Sequence, residues 1–234
     1  MLFRKLAAAM LACLALSPAT AKASCSDLSL VLAIDSSSSI DPAEFALQIA
    51  GYSAAFSHPA VQNALAQTGV VDVAAVFWAD AEFGPQIMPW QRIRSRTDAQ
   101  TFAARLLATP RRATGDTDLG AGLMTALDLL EQPNLCTLRK VINVSGDGQA
   151  SPWAKRRHYI SLDQARARAK ALDVTVNGLA IIGANPSLGK YYQDRLITGP
   201  GAFVMTVSDF DSFGAAIIQK LKREISLPVS ASLN

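Results

Sequence analysis

An apolar run that stops abruptly on a carboxylate constrains this chain most. Leu28-Ser29-Leu30-Val31-Leu32-Ala33-Ile34 is followed at once by Asp35-Ser36-Ser37-Ser38-Ser39. A run of this kind, without polar alternation, reads as a strand buried on both faces, the pattern of a parallel sheet covered by helices. Asp41-Pro42 opens the next segment, and Pro42 suits a first helical position. An acid and four hydroxyls are therefore expected at the carboxyl end of a central strand, where open α/β sheets place their ligands.

The rest of the chain repeats the alternation. A helix is predicted over 41–58, with Phe45, Ile49, Tyr52 and Phe56 on one face, and a further helical turn over 61–67. Strands follow at 70–78 and, after the Gly84-Pro85 turn, at 87–90, the latter a proline-bearing antiparallel edge strand. Helices are predicted from Thr97, as N-cap, to 108 and from 120 to 130, flanking a polar loop at 111–120. Then come a strand at 141–145, a helix at 162–172, a strand at 174–182, a short helix at 191–197, a strand at 202–207 and a closing helix at 209–225. This predicts a single doubly wound α/β domain: a mostly parallel central sheet of about six strands, one antiparallel edge strand, and helices on both faces. The domain is assigned to 24–227 and a loose tail to 228–234.

The first 23 residues read as a secretory signal peptide. Arg4 and Lys5 form the basic region, 6–16 the apolar region, and Ala21-Lys22-Ala23 the cleavage site. The apolar region is too short to span a membrane. Three of the 22 basic residues lie in this leader, with no acid, so the remaining 19 balance 19 acidic residues. No basic field is left to favour nucleic acid or an anionic membrane surface. The expected location is secreted or periplasmic, without stable membrane insertion after cleavage. Cys25 and Cys136 remain, an even count for an oxidising compartment.

Three loops carry the candidate chemistry: Asp35-x-Ser37-x-Ser39 after the first strand, Thr117 before a helix, and Asp147 after the fourth strand. Carboxylates and hydroxyls without histidine or thiol are a hard oxygen set, suited to Mg²⁺, Mn²⁺ or Ca²⁺ rather than zinc. Taken together with Thr-x-x-Gly at 117–120 and Asp147-Gly148, these residues resemble the metal-ion-dependent adhesion site of von Willebrand factor type A (vWA) domains. The phrases Val-Ser-Gly-Asp-Gly and Val-Asn-Gly-Leu-Ala-Ile look closest to a secreted bacterial branch of undefined function. The resemblance implies that Ser37 and Ser39 bind the cation directly, Thr117 directly or through water, and Asp35 and Asp147 mostly through water. It also implies a partner protein that presents Asp or Glu to the cation. Where the pattern usually has threonine or serine before the last Asp-Gly, this chain has Gly146.

In the resembled fold the first and fourth strands are parallel central neighbours. Cys25 precedes Asp35 by ten residues and Cys136 precedes Asp147 by eleven, so both cysteines fall near the opposite end of adjacent strands. The fold thereby implies a Cys25–Cys136 disulfide.

Other features are weaker. Arg111, Arg112, Lys155, Arg156, Arg157 and His158 lie in loops at the metal end, either drawing an acidic partner or serving as ordinary solvated loops. Asn143 and Asn177 interrupt buried strands and are expected to pair with each other or to cap a bulge. Enzyme readings fit less well than a binding module. A haloacid-dehalogenase-type phosphatase needs an aspartate where Ser37 stands, and a nucleophile elbow needs serine where Asp147 stands. A dinucleotide-binding enzyme needs a glycine-rich turn after the first strand, and this chain has four serines. The remaining alternative is a metal-free structural domain.

Overall fold

The computed structural model describes residues 25–151, 160–183 and 185–226. The assigned leader, the tail, and the basic segment from Lys155 to His158 lie outside these residues. Among these residues six strands build one sheet: β1 (Leu28–Asp35), β2 (Val71–Trp78), β3 (Gln86–Ile93), β4 (Lys140–Gly146), β5 (Thr175–Ile181) and β6 (Val204–Val207). Their order is β3-β2-β1-β4-β5-β6, and every pairing is parallel except β2 with β3. Among the described residues seven α-helices connect them: α1 (Pro42–Ser57), α2 (Pro59–Thr68), α3 (Arg96–Leu107), α4 (Leu119–Leu130), α5 (Leu162–Ala171), α6 (Leu188–Arg195) and α7 (Phe213–Ser226). The doubly wound α/β architecture with an antiparallel edge is thus the one expected.

β1 shows how one apolar run serves two cores. Leu28, Leu30, Leu32 and Ile34 point to the face covered by α1, α2, α3 and α7. Val31 and Ala33 point to the face covered by α4, α5 and α6. The period of two is present, but both faces are apolar, so no polar alternation marks it.

Several boundaries differ from expectation. The second helical segment is a full ten-residue helix, because His58 caps it, its Nδ1 accepting from Ala60 N–H, and Pro59 starts it. β3 is longer than 87–90 and tolerates Pro89 because it lies at the sheet edge; its register with β2 shifts between Val73 and Ala75. Ser95, not Thr97, caps α3 by accepting from Asp98 N–H. α6 begins at Leu188, three residues early, so that Leu188 and Tyr192 stack one turn apart against the sheet.

At the amino ends of the central strands a disulfide joins Cys25 to Cys136, with Cα atoms 4.6 Å apart. Ser26 N–H donates to the Cys136 carbonyl and pairs in parallel with Thr137, extending the β1–β4 contact outward. Arg139 donates to the Glu224 and Ile225 carbonyls at the end of α7.

Asn143 and Asn177 are in register across β4 and β5, yet neither bonds to the other's side chain. Asn177 accepts from Phe203 N–H. Asn143 donates to Glu224, which is fully buried and paired with the equally buried Lys220. From Asn143 a buried polar chain continues. Tyr52 hydroxyl lies 2.9 Å from Asn143 Oδ1 and 3.0 Å from Ser145 Oγ, Ser145 donates to Gln48, and Gln48 donates to the Asp35 carbonyl at 3.0 Å. Each member has a partner, the condition under which buried polar groups specify a geometry rather than destabilise it.

Candidate metal centre

β1 and β4 end side by side, with Ile34 opposite Ser145, and so deliver Asp35 and Asp147 to the same corner. The loop after β1 is shaped by its own residues. Asp41 caps α1 by accepting from Ala43 and Glu44 N–H, and Glu44 accepts in return from Asp41 N–H. Between strand and cap, the four serines divide by parity. Ser37 and Ser39 face the site, their hydroxyl oxygens 3.0 Å apart, and Ser39 donates to Asp147 Oδ1 at 2.7 Å. Ser36 and Ser38 face away. Ser36 donates to the Ala113 carbonyl, while Ser38 N–H donates to the Gly115 carbonyl and Ser38 Oγ accepts from Gly115 N–H. The first loop is thus sewn to the loop that carries Thr117.

Thr117 is buried and lies against the Asp147-Gly148 turn: a Cβ on Gly148 would sit 3.3 Å from its methyl and 3.5 Å from its hydroxyl. Thr114, the other threonine of that loop, is exposed. The structure therefore brings Asp35, Ser37, Ser39, Thr117 and Asp147 to one end of the sheet.

The electrostatics of this corner are unbalanced. Asp35 is fully buried; its Oδ1 accepts from Ser37 N–H at 2.8 Å, and its Oδ2 has no partner. Burial pushes its carboxyl up to about 7, partly offset by hydrogen bonds from Ser37, with the charge of Asp147 adding to the rise. Asp147 is raised as well, mainly by burial, with its bond from Ser39 opposing and Glu44 contributing. A fully buried acid and a half-buried one, both held above their usual range, with an orphaned oxygen and the hydroxyls of Ser37, Ser39 and Thr117 at the same strand ends, fit a divalent cation. Its charge would favour both carboxylates and its shell would use the hydroxyls. Among the described residues, no group of three or more His, Cys, Asp or Glu gathers to hold a metal, so any cation here depends on those hydroxyls.

One residue here plays a part unlike either sequence-based expectation. Arg111 neither projects toward a partner nor lies in a solvated loop. Its Nη2 is 3.0, 2.8 and 2.8 Å from the Ser36, Ser37 and Ile40 carbonyls, and its guanidinium lies 5.1 Å from the Phe45 ring centre. Holding those carbonyls on its own side, it fixes the loop from which the Ser37 and Ser39 hydroxyls reach the site. The sequence signal was faint: an arginine six residues before the threonine, in an otherwise ordinary polar loop.

Sheet order, the antiparallel edge and the two helical layers define the class: this is a vWA-like fold. Solved structures bear this out at low identity. The open conformation of the pilus adhesin SpaC from Lactobacillus rhamnosus GG is 17% identical, with a TM-score of 0.61 over 86% of this chain and 30% of that one. The SpRpn10 VWA domain is 15% identical, with a TM-score of 0.54 over 83% of this chain and 94% of that one. Proximal thread matrix protein 1 from the mussel byssus, in a form with a zinc-occupied MIDAS motif, is 16% identical, with a TM-score of 0.55 over 86% of this chain and 46% of that one. The chain thus spans less than half of the adhesin and of the mussel protein. No curated protein matches it. Residues 24–229 match the family described as Protein of unknown function (DUF1194), and the chain belongs to that family.

Proposed function

We propose that this protein is a metal-dependent adhesion module, not an enzyme. A divalent cation, Mg²⁺ or else Mn²⁺ or Ca²⁺, is held by Ser37, Ser39 and Thr117 with Asp35 and Asp147, and an acidic group of a partner protein completes the site. The cation, when bound, supplies a Lewis-acidic anchor for a carboxylate. The chain's own residues do the rest. Ser37 N–H and Arg111 set the loop, Ser39 orients Asp147, and the polar chain ending at Gln48 fixes the Asp35 carbonyl.

The observation that carries this reading is the partnerless, buried Asp35 Oδ2 at the strand ends where Ser37, Ser39, Thr117 and Asp147 gather. The occurrence of the same fold in a pilus adhesin and a minor pilin supports an interaction role, and the zinc-occupied MIDAS of the mussel protein supports a divalent ion at this position. Among the described residues no helix is long and apolar enough to cross a membrane. We assign the mature chain, after removal of residues 1–23, to the periplasm or the exterior, its two cysteines joined as a disulfide.

Calorimetric titration of Mg²⁺, Mn²⁺ and Zn²⁺ into the mature protein tests the site. Saturable binding is expected, reduced at least roughly 100-fold in the Asp35→Ala, Ser37→Ala variant. Equal heats from both proteins would discard the metal site and leave the structural-domain alternative.

A further inference from the structure

The residue that closes β4 is Gly146, where the resembled pattern usually carries a hydroxyl. A Cβ there would come 2.7 Å from Asp35 Oδ2 and 2.8 Å from the Tyr192 hydroxyl. One side-chain-sized space is therefore shared by two oxygens: the carboxylate oxygen that lacks a partner, and a phenol brought in from α6. Register explains the meeting. Ile34 lies opposite Ser145, so Asp35 is opposite Gly146.

Tyr192 reaches this space over a track kept bare for it. A Cβ on Gly178 would lie 2.9 Å from Tyr192 Cδ2. Gly178 pairs with Val144, two residues before Gly146, so both glycines open the same face of the sheet. The ring is fully buried, and its hydroxyl lies 3.4 Å from the Gly148 carbonyl, a long contact that leaves it available. Burial and the nearby charges of Asp35 and Asp147 push the hydroxyl's pKa far up, which keeps it protonated and a donor. Phenylalanine would fill the apolar part of this position equally well. The hydroxyl is the feature that packing does not account for.

We propose that Tyr192 is a positioning residue of the cation site: its hydroxyl takes the place of the one missing at position 146 and closes on Asp35 Oδ2, the oxygen left without a partner in this structure, when a cation binds, while Ser37 N–H holds Oδ1. The carboxylate plane is then fixed from both oxygens. This rests on the cation reading above. It also gives Gly146 a reason, since any side chain there would displace both oxygens.

The test uses the mature chain and two readouts. Tyr192→Phe is expected to weaken Mn²⁺ binding roughly tenfold by calorimetry, as loss of an outer-shell partner does. Its melting temperature in EDTA should change little. Gly146→Ser combined with Tyr192→Phe should recover part of the lost affinity. A purely structural tyrosine predicts the reverse split, with stability lost and affinity kept, and that result would overturn the proposal. Should Tyr192→Phe not fold, Gly146→Ala reads the same space from β4, and wild-type affinity in it would also overturn the proposal. A wild-type protein that binds no cation brings down the adhesion-site reading itself. That failure is distinct from a wild type that binds and a Tyr192→Phe that binds equally well.

Discussion

The two ends of the central strand pair, β1 and β4, are built on opposite terms. At the amino end the nearby polar groups are answered. The Cys25–Cys136 disulfide closes the pair, Val70 N–H donates to Asp27, and Arg139 and Thr68 bind the last carbonyls of α7. At the carboxyl end a buried acid, Asp35, and a half-buried one, Asp147, are both held above their usual range, and one carboxylate oxygen has no partner. The same two strands thus carry a fastened end and a strained one. Strain of this kind persists where the surrounding structure over-determines the geometry, and here Arg111, the serine seam and the buried polar chain to Gln48 do so.

If the ends are independent, each can be broken without the other. The largest effect is expected at the fastened end. Cys25→Ser with Cys136→Ser should cost about 2–5 kcal/mol of stability in urea unfolding, because the bond closes a long loop. Mn²⁺ affinity should be unchanged, and a parallel fall in affinity would show that the two ends are coupled. At the strained end, Arg111→Ala frees three carbonyls and is expected to reduce cation affinity roughly tenfold. Arg111→Lys should recover only part of it, since an ammonium does not offer the planar fork. Full recovery by lysine would mean that charge, not geometry, is what the loop needs.

The smallest effect is a pH slope. The folded chain holds the Asp35 proton up to about 7, above its ordinary 3.8, so without cation the folded state binds protons that the unfolded state releases. That contribution to stability is present at acid pH and is lost as pH rises between those two values. In EDTA, urea midpoints should therefore fall from pH 4 toward pH 7, and Asp35→Asn should flatten that fall. A variant with the wild-type slope would place the unfavourable charge elsewhere.

Much of this was legible in the chain. The apolar run into Asp35-Ser36-Ser37-Ser38-Ser39 fixes a central strand and an oxygen-rich turn through hydrophobic burial and period alone, properties local to those residues. The resembled fold makes the first and fourth strands neighbours, and with that adjacency the spacing along them anticipates where the cysteines fall, because parallel strands rise at the same rate per residue. Two of the element boundaries that moved are set by neighbours in space. β3 extends because β2 offers it partners, and α6 starts early because Leu188 and Tyr192 find the sheet.

What the tertiary structure alone decided is which groups answer which. Lys220 and Glu224 are charged residues of α7, yet both are buried: Asn143 of β4 donates to Glu224, and Glu224 pairs with Lys220. Arg111 reads as a loop cation and is a clamp, because the carbonyls it holds are some 70 residues away along the chain. Gly146 reads as a departure from a motif, and its reason lies on α6, in the hydroxyl of Tyr192. Burial and period are carried by neighbours in sequence. Hydrogen-bond partners and shared volumes are carried by neighbours in space, and only the folded chain brings those together.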